Sequence, residues 1–204
     1  PRVFPIPAST DNWMSKGVLG ERVWLNRKQI PVPNHHIKIA NWLNLLTGVG
    51  LIPMIIGFIY YNPKIVGGAW MKATGLTEES MKGANMLVIS IAGLVLSFLL
   101  ASTIAGIVVH QTGLYSMLVG FEGPEATEII SKALALSGDR YLTFGHGALH
   151  GTLVGLFLVF PIMATNNMYE RKPFKLTIIN TIYWTITLAI MGGVLCQWGF
   201  HPFK

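Results

Sequence analysis

Charge is scarce in this sequence. Lys, Arg, Asp and Glu together make up 12% of 204 residues, about half the roughly 25% of an average soluble domain. Ionisable side chains normally cover a wet surface, so an ordinary soluble domain is excluded. Intrinsic disorder goes with it, because 51% of the chain is hydrophobic and has apolar surface to bury. Cysteine is scarcer still: Cys196 stands alone, which excludes an intrachain disulfide scaffold, and it is expected to be buried. Missing too are a strand-borne glycine-rich phosphate loop, a Ser-His-Asp order, a nucleophile elbow and an HExxH pair. No catalytic residue is assigned. The net charge of +6 does not call for nucleic acid, because the basic residues sit beside apolar runs, where they suit anionic lipid.

What is present is a set of long apolar runs. A transmembrane helix needs about 20 mostly apolar residues, and four stretches qualify, at about 39–61, 78–109, 144–164 and 176–198. Their apolar parts contain no Asp, Glu, Lys or Arg, whereas Lys38, Lys64, Lys82, Arg140 and Arg171 to Lys175 flank them. The expected fold is all-α, a polytopic membrane four-helix bundle over 39–198 with an extended tail over 1–38 and a short one over 199–204. The first tail, with Pro1, Pro5, Pro7, Pro31, Pro33, Trp13 and Trp24, is expected to be irregular and to lie over the bundle or a partner. No cleavable signal peptide is expected, and the start at Pro1 is taken to follow removal of an initiator Met or a longer leader.

Local signals add detail. Thr77-Glu78-Glu79 reads as a helix start, so the second helix is expected to begin near Glu78 and run unbroken to about Val109. Gly123-Pro124-Glu125 opens a short amphipathic helix in the 111–143 loop, ending near Leu136 at Gly138, with Ile129, Ile130, Ala133 and Leu134 on its apolar face. Pro53 should kink the first span and free a carbonyl near Val49. Small residues mark helix contacts in lipid: Gly93, Ser97, Ala101 and Ala105 on the second span, Gly147, Gly151 and Gly155 on the third, and Thr177, Thr181 and Thr185 on the fourth. These stripes either pack the four helices or offer a docking face to another subunit.

Four spans put both termini and the 111–143 loop on one side, and the 62–83 and 165–175 loops on the other. The latter side holds Lys64, Lys72, Lys82, Arg171, Lys172 and Lys175. The former holds Lys132, Arg140 and Lys204, joined by Arg22, Arg27, Lys28 and Lys38 if the tail is counted. Without the tail, the positive-inside rule puts both termini outside; with it, the counts nearly balance.

All six histidines fall on the side of the termini: His35, His36, His110, His146, His150 and His201. His146 and His150 stand at i and i+4 on one helical face, and His110 ends an antiparallel neighbour at similar depth. Four readings compete for His110, His146 and His150: a transition-metal site, which a carboxylate from Glu122, Glu125 or Glu128 could complete; haem ligation; a proton-linked switch; and plain interfacial hydrogen bonding. Intramembrane Asn41, Asn44, Asn180 and Gln197 are polar suspects that also read as interhelical glue.

Tyr60-Tyr61-Asn62-Pro63, Gly67-Gly68-Ala69-Trp70-Met71-Lys72 and Gly75-Leu76-Thr77-Glu78-Glu79, with Ala164-Thr165-Asn166, Glu170-Arg171-Lys172 and Asn180, carry a resemblance. Over about 39–198 the chain resembles the small four-span bacterial membrane proteins catalogued as domain of unknown function 1761. The resemblance implies four spans and names no reaction. It draws attention to a loop cluster of Trp70, Met71, Thr77, Glu78, Glu79, Asn166, Glu170 and Arg171, expected to combine helix capping, a Glu79 or Glu170 pair with Arg171, and Trp70 as an interface anchor. The leading functional expectation is a non-enzymatic accessory or scaffolding subunit of a larger complex in the bacterial inner membrane, with lipid and other membrane subunits as partners. The alternatives are a metal- or haem-binding membrane protein and an oligomeric small transporter or channel.

Overall fold

The structure is a computed structural model that describes residues 45–121, 123–137 and 139–199. The expectations for the proline-rich tail, for His35, His36, Lys38, Asn41, Asn44, Glu122, Gly138 and His201, and for the last residues lie outside the described residues. Every regular element among the described residues is a helix.

The first apolar run is helical over 45–50, pauses at Leu51 and resumes as α1 (Ile52–Tyr60). Pro53 sits in the first turn of α1, where a missing N–H costs nothing, so the expected kink takes the form of this interruption. The chain then bends by 55° and stays helical. Asn62 turns it, its side chain accepting the Lys64 N–H at 2.9 Å. Pro63–Gly67 form a π-helical turn, and α2 (Gly68–Thr74) ends at Gly75, whose φ of 77° suits glycine. A Cβ on Gly67 would run into the Tyr61 carbonyl oxygen, so this tight bend requires glycine.

The expected unbroken helix from Glu78 to Val109 is two helices. α3 (Glu78–Lys82) carries a reciprocal cap, with the Ser80 N–H donating to Thr77 Oγ1 and the Thr77 N–H to Ser80 Oγ. Asn85 then takes an extended conformation and caps α4 (Met86–Val108) by accepting the Val88 N–H at 3.1 Å. A second start therefore falls where only continuation was expected. Beyond α4 come α5 (His110–Met117), in a stretch expected to be loop, and α6 (Pro124–Ser137), the amphipathic helix, with Leu134 buried and Leu136 exposed. α7 (Phe144–Val154), a π-helical turn over Gly155–Val159 and α8 (Phe160–Tyr169) form one continuous helix. Pro161 cannot donate to the turn before it, and the wide turn accommodates that. α9 (Phe174–Trp198) completes the chain.

Three helical stretches, Met86–Val108, Phe144–Tyr169 and Phe174–Trp198, are long and apolar enough to cross a membrane, and the bent pair is a fourth if it counts as one span. α9 is the hub, packing against α1, α4, α7 and α8. Its partner α7 comes closest, because a Cβ at Gly147 would meet the Gly192 carbonyl, one at Gly151 the Leu188 carbonyl, and one at Gly155 Thr185. The contacts are mutual: Gly192 lies against Gly147 and Gly193 against the Phe144 ring. On α4, Ser97, Ala101 and Ala105 are buried, but a Cβ on Gly93 would meet nothing, so that end of the expected stripe packs on no described residue. Val49, Ile104, Val108, Leu188, Met191 and Leu195 fill the centre.

Candidate metal centre

The site is built at a break in the chain. α4 stops at Val108, Val109 is extended at φ −95° and ψ 101°, and α5 begins at His110. Breaking a helix leaves carbonyls without partners, and two side chains take them up. The Cys196 thiol, buried on α9, donates to the Val108 carbonyl at 3.2 Å. The Thr112 hydroxyl lies 2.6 Å from the Val109 carbonyl and 3.1 Å from that of Gly106. Val108 and Val109 are fully buried, which anchors the break, and His110 emerges from it exposed.

On the facing helix, Thr143 caps α7 by accepting the His146 N–H at 3.3 Å, which sets the first turn and its histidine. Gly147, one residue on, lets α7 lie against α9. The Phe144 N–H donates to Gln197 at 2.9 Å, so Gln197 ties this helix end to α9.

These elements bring His110, His146 and His150 together. The Nε2 atoms of His110 and His146 lie 2.8 Å apart, and those of His146 and His150 3.1 Å apart. All three residues offer a ligand atom within 4.8 Å of the others, with His110 exposed and the other two half-buried. Three imidazole nitrogens on a tetrahedral zinc, each ~2.0–2.1 Å from the metal, stand about 3.3 Å from one another. The spacing here is close to that, and neutral imidazole is the donor such ions take most readily. Haem fits poorly: axial imidazoles hold a porphyrin between them, whereas these rings touch, with centroids 4.6–5.0 Å apart. Glu125 and Glu128 are not in the group, and Glu128 pairs with Lys132 at 2.7 Å instead.

Two neighbours escaped the sequence reading. Tyr141 sets its ring 5.1 Å from both His110 and His146, and the Arg140 guanidinium lies 5.6 Å over the Tyr141 ring. The signal available was an aromatic residue immediately ahead of a capped helix start bearing histidine.

The loop cluster at the other end is not drawn into one site. Thr77 caps α3, Trp70 packs edge-on against Tyr61 at 5.5 Å, and the Asn166 carbonyl accepts the Glu170 N–H within its own helix. Among the described residues no ion pair joins Glu79 or Glu170 to Arg171. Arg171 has φ 56° and closes α8: the Lys172 N–H bonds the Asn167 carbonyl and the Arg171 N–H that of Met168. It occupies the position that glycine normally takes in this motif. What does gather at this end is aromatic: Tyr60, Tyr61 and Tyr183 pack together, and the Tyr61 hydroxyl donates to Asn180 Oδ1 at 2.9 Å.

Long apolar helices around a hub helix, with polar groups gathered at the helix ends, are the make-up of a helical membrane protein. Residues 44–196 match the family described as "Protein of unknown function (DUF1761)", and the chain belongs to that family. No curated protein and no solved structure matches it.

Proposed function

We propose that this protein binds one divalent first-row transition metal, zinc in first place, at the membrane boundary through His110, His146 and His150. The convergence of three imidazole nitrogens from two chain segments carries the reading. It is supported by the way the break at Val109 is held by Cys196 and Thr112, since the same break sets His110 opposite α7. Purified in mild detergent and stripped with chelator, the chain should take up one zinc per molecule by calorimetry and elemental analysis. His146→Ala should lose that binding while keeping the helical circular-dichroism signal. Equal uptake by the wild type and a variant lacking all three histidines would sink the reading.

A second reading, an accessory subunit of a larger complex in the bacterial inner membrane, draws on α4. That helix exposes most of its apolar side chains, and Gly93 faces open space where a partner helix could approach closely. Extraction from the native membrane in mild detergent should then bring down a stable membrane partner, and a clean monomer would count against it.

A further inference from the structure

We infer that the fourth coordination position of this centre is open and takes water or a small anion from the aqueous side; this rests on the metal reading above. Structural zinc sites are closed by four protein ligands, whereas reactive ones keep three and leave a position for an exchangeable ligand. Among the described residues the group consists of His110, His146 and His150, with no carboxylate or thiolate in reach. Of the three candidate carboxylates, Glu125 and Glu128 are not in the group, Glu128 being engaged with Lys132 on its own helix, and Glu122 lies outside the described residues.

The burial is lopsided in the sense that matters. His146 and His150 are half-buried against the bundle and His110 is exposed, so the site is covered from within and uncovered towards the solvent side. Three neutral imidazoles leave the dication's charge uncompensated, so an anionic ligand is favoured over a second neutral one. Arg140, stacked on Tyr141 beside two of the histidines, adds positive charge at the same mouth. Tyr141 itself lies edge-on to the His110 ring and tilted to that of His146.

The full chain in detergent, loaded with Co(II), provides the test, with azide as the probe. Co(II) binding alone, at one per chain, reports the metal site; a saturable change of its visible bands on adding azide reports the open position. Arg140→Ala should weaken azide binding by about two- to fivefold, the effect of a screened, exposed charge, and leave Co(II) stoichiometry unchanged. Bound Co(II) with a spectrum indifferent to azide would overturn the inference and leave the metal reading standing. Failure to bind Co(II) at all would overturn both.

Discussion

At the scale of single residues, the three histidines behave as one group. His146 Nε2 lies within hydrogen-bonding distance of both His110 and His150, and which nitrogen donates depends on the tautomer. Protons and metal compete for the same neutral nitrogens, so metal affinity should fall as the pH is lowered. Zinc titrations between about pH 8 and 5.5 check this, and a flat profile would contradict it. A second prediction concerns Arg171. Its left-handed backbone costs a residue with a side chain more than it costs glycine, partly offset by the looser unfolded chain. Arg171→Gly should therefore stabilise the protein by roughly 0.5–1 kcal/mol, read as a higher unfolding midpoint. The i, i+4 histidine pair was legible from spacing alone. The arrival of His110 was only partly so, because nothing in Val108-Val109 announces a helix break; its supports, Cys196 and Thr112, become visible once α4 and α9 are side by side.

At the scale of elements, the small residues sort into those that are used and those that are not. Gly151 has the Leu188 carbonyl where a Cβ would be, so Gly151→Ala must push α7 off α9 and should cost about 1–3 kcal/mol or more. Gly93 has open space, so Gly93→Ala should be neutral or stabilising by up to about 1 kcal/mol through helix propensity. Thermal unfolding in the same detergent should show a lower midpoint for Gly151→Ala and an unchanged or higher one for Gly93→Ala. The sequence marked both glycines alike, because a spacing of four identifies a stripe without saying what lies across from it. It also passed over Gly192 and Gly193, adjacent residues that make no stripe of their own but meet Gly147 and Phe144.

At the scale of the whole molecule, charge-poor runs made the three long helices legible, because little else places about 20 mostly apolar residues in succession. The bent first segment was less so: Lys64, Lys72 and the glycines at 67 and 68 read as loop, and the helix there depends on Gly67 closing on the Tyr61 carbonyl. If the three long helices cross the membrane, α6 lies on one side, and α3 and the turn after α8 lie on the other. Cysteines introduced at Lys82 and Lys172 should then label from the same side, and one at Lys132 from the opposite side. Buried Cys196 should contribute little background. Labelling at Lys132 and Lys172 from the same side would break the bundle topology. A reporter ahead of residue 39 that labels together with Lys132 would make the bent pair a true span.

The break at Val109 has one more consequence. His110 and His146 are 36 positions apart, and between them runs the entire excursion through α5 and α6. A single ion gripping both ends would close that excursion into a ring. The cost of shutting such a ring rises only slowly with its length, while the gain grows with the free ion, reaching about 2.7 kcal/mol at a hundredfold excess over its dissociation constant. The excursion through α5 and α6 would then be held, or released, according to how much metal its surroundings supply.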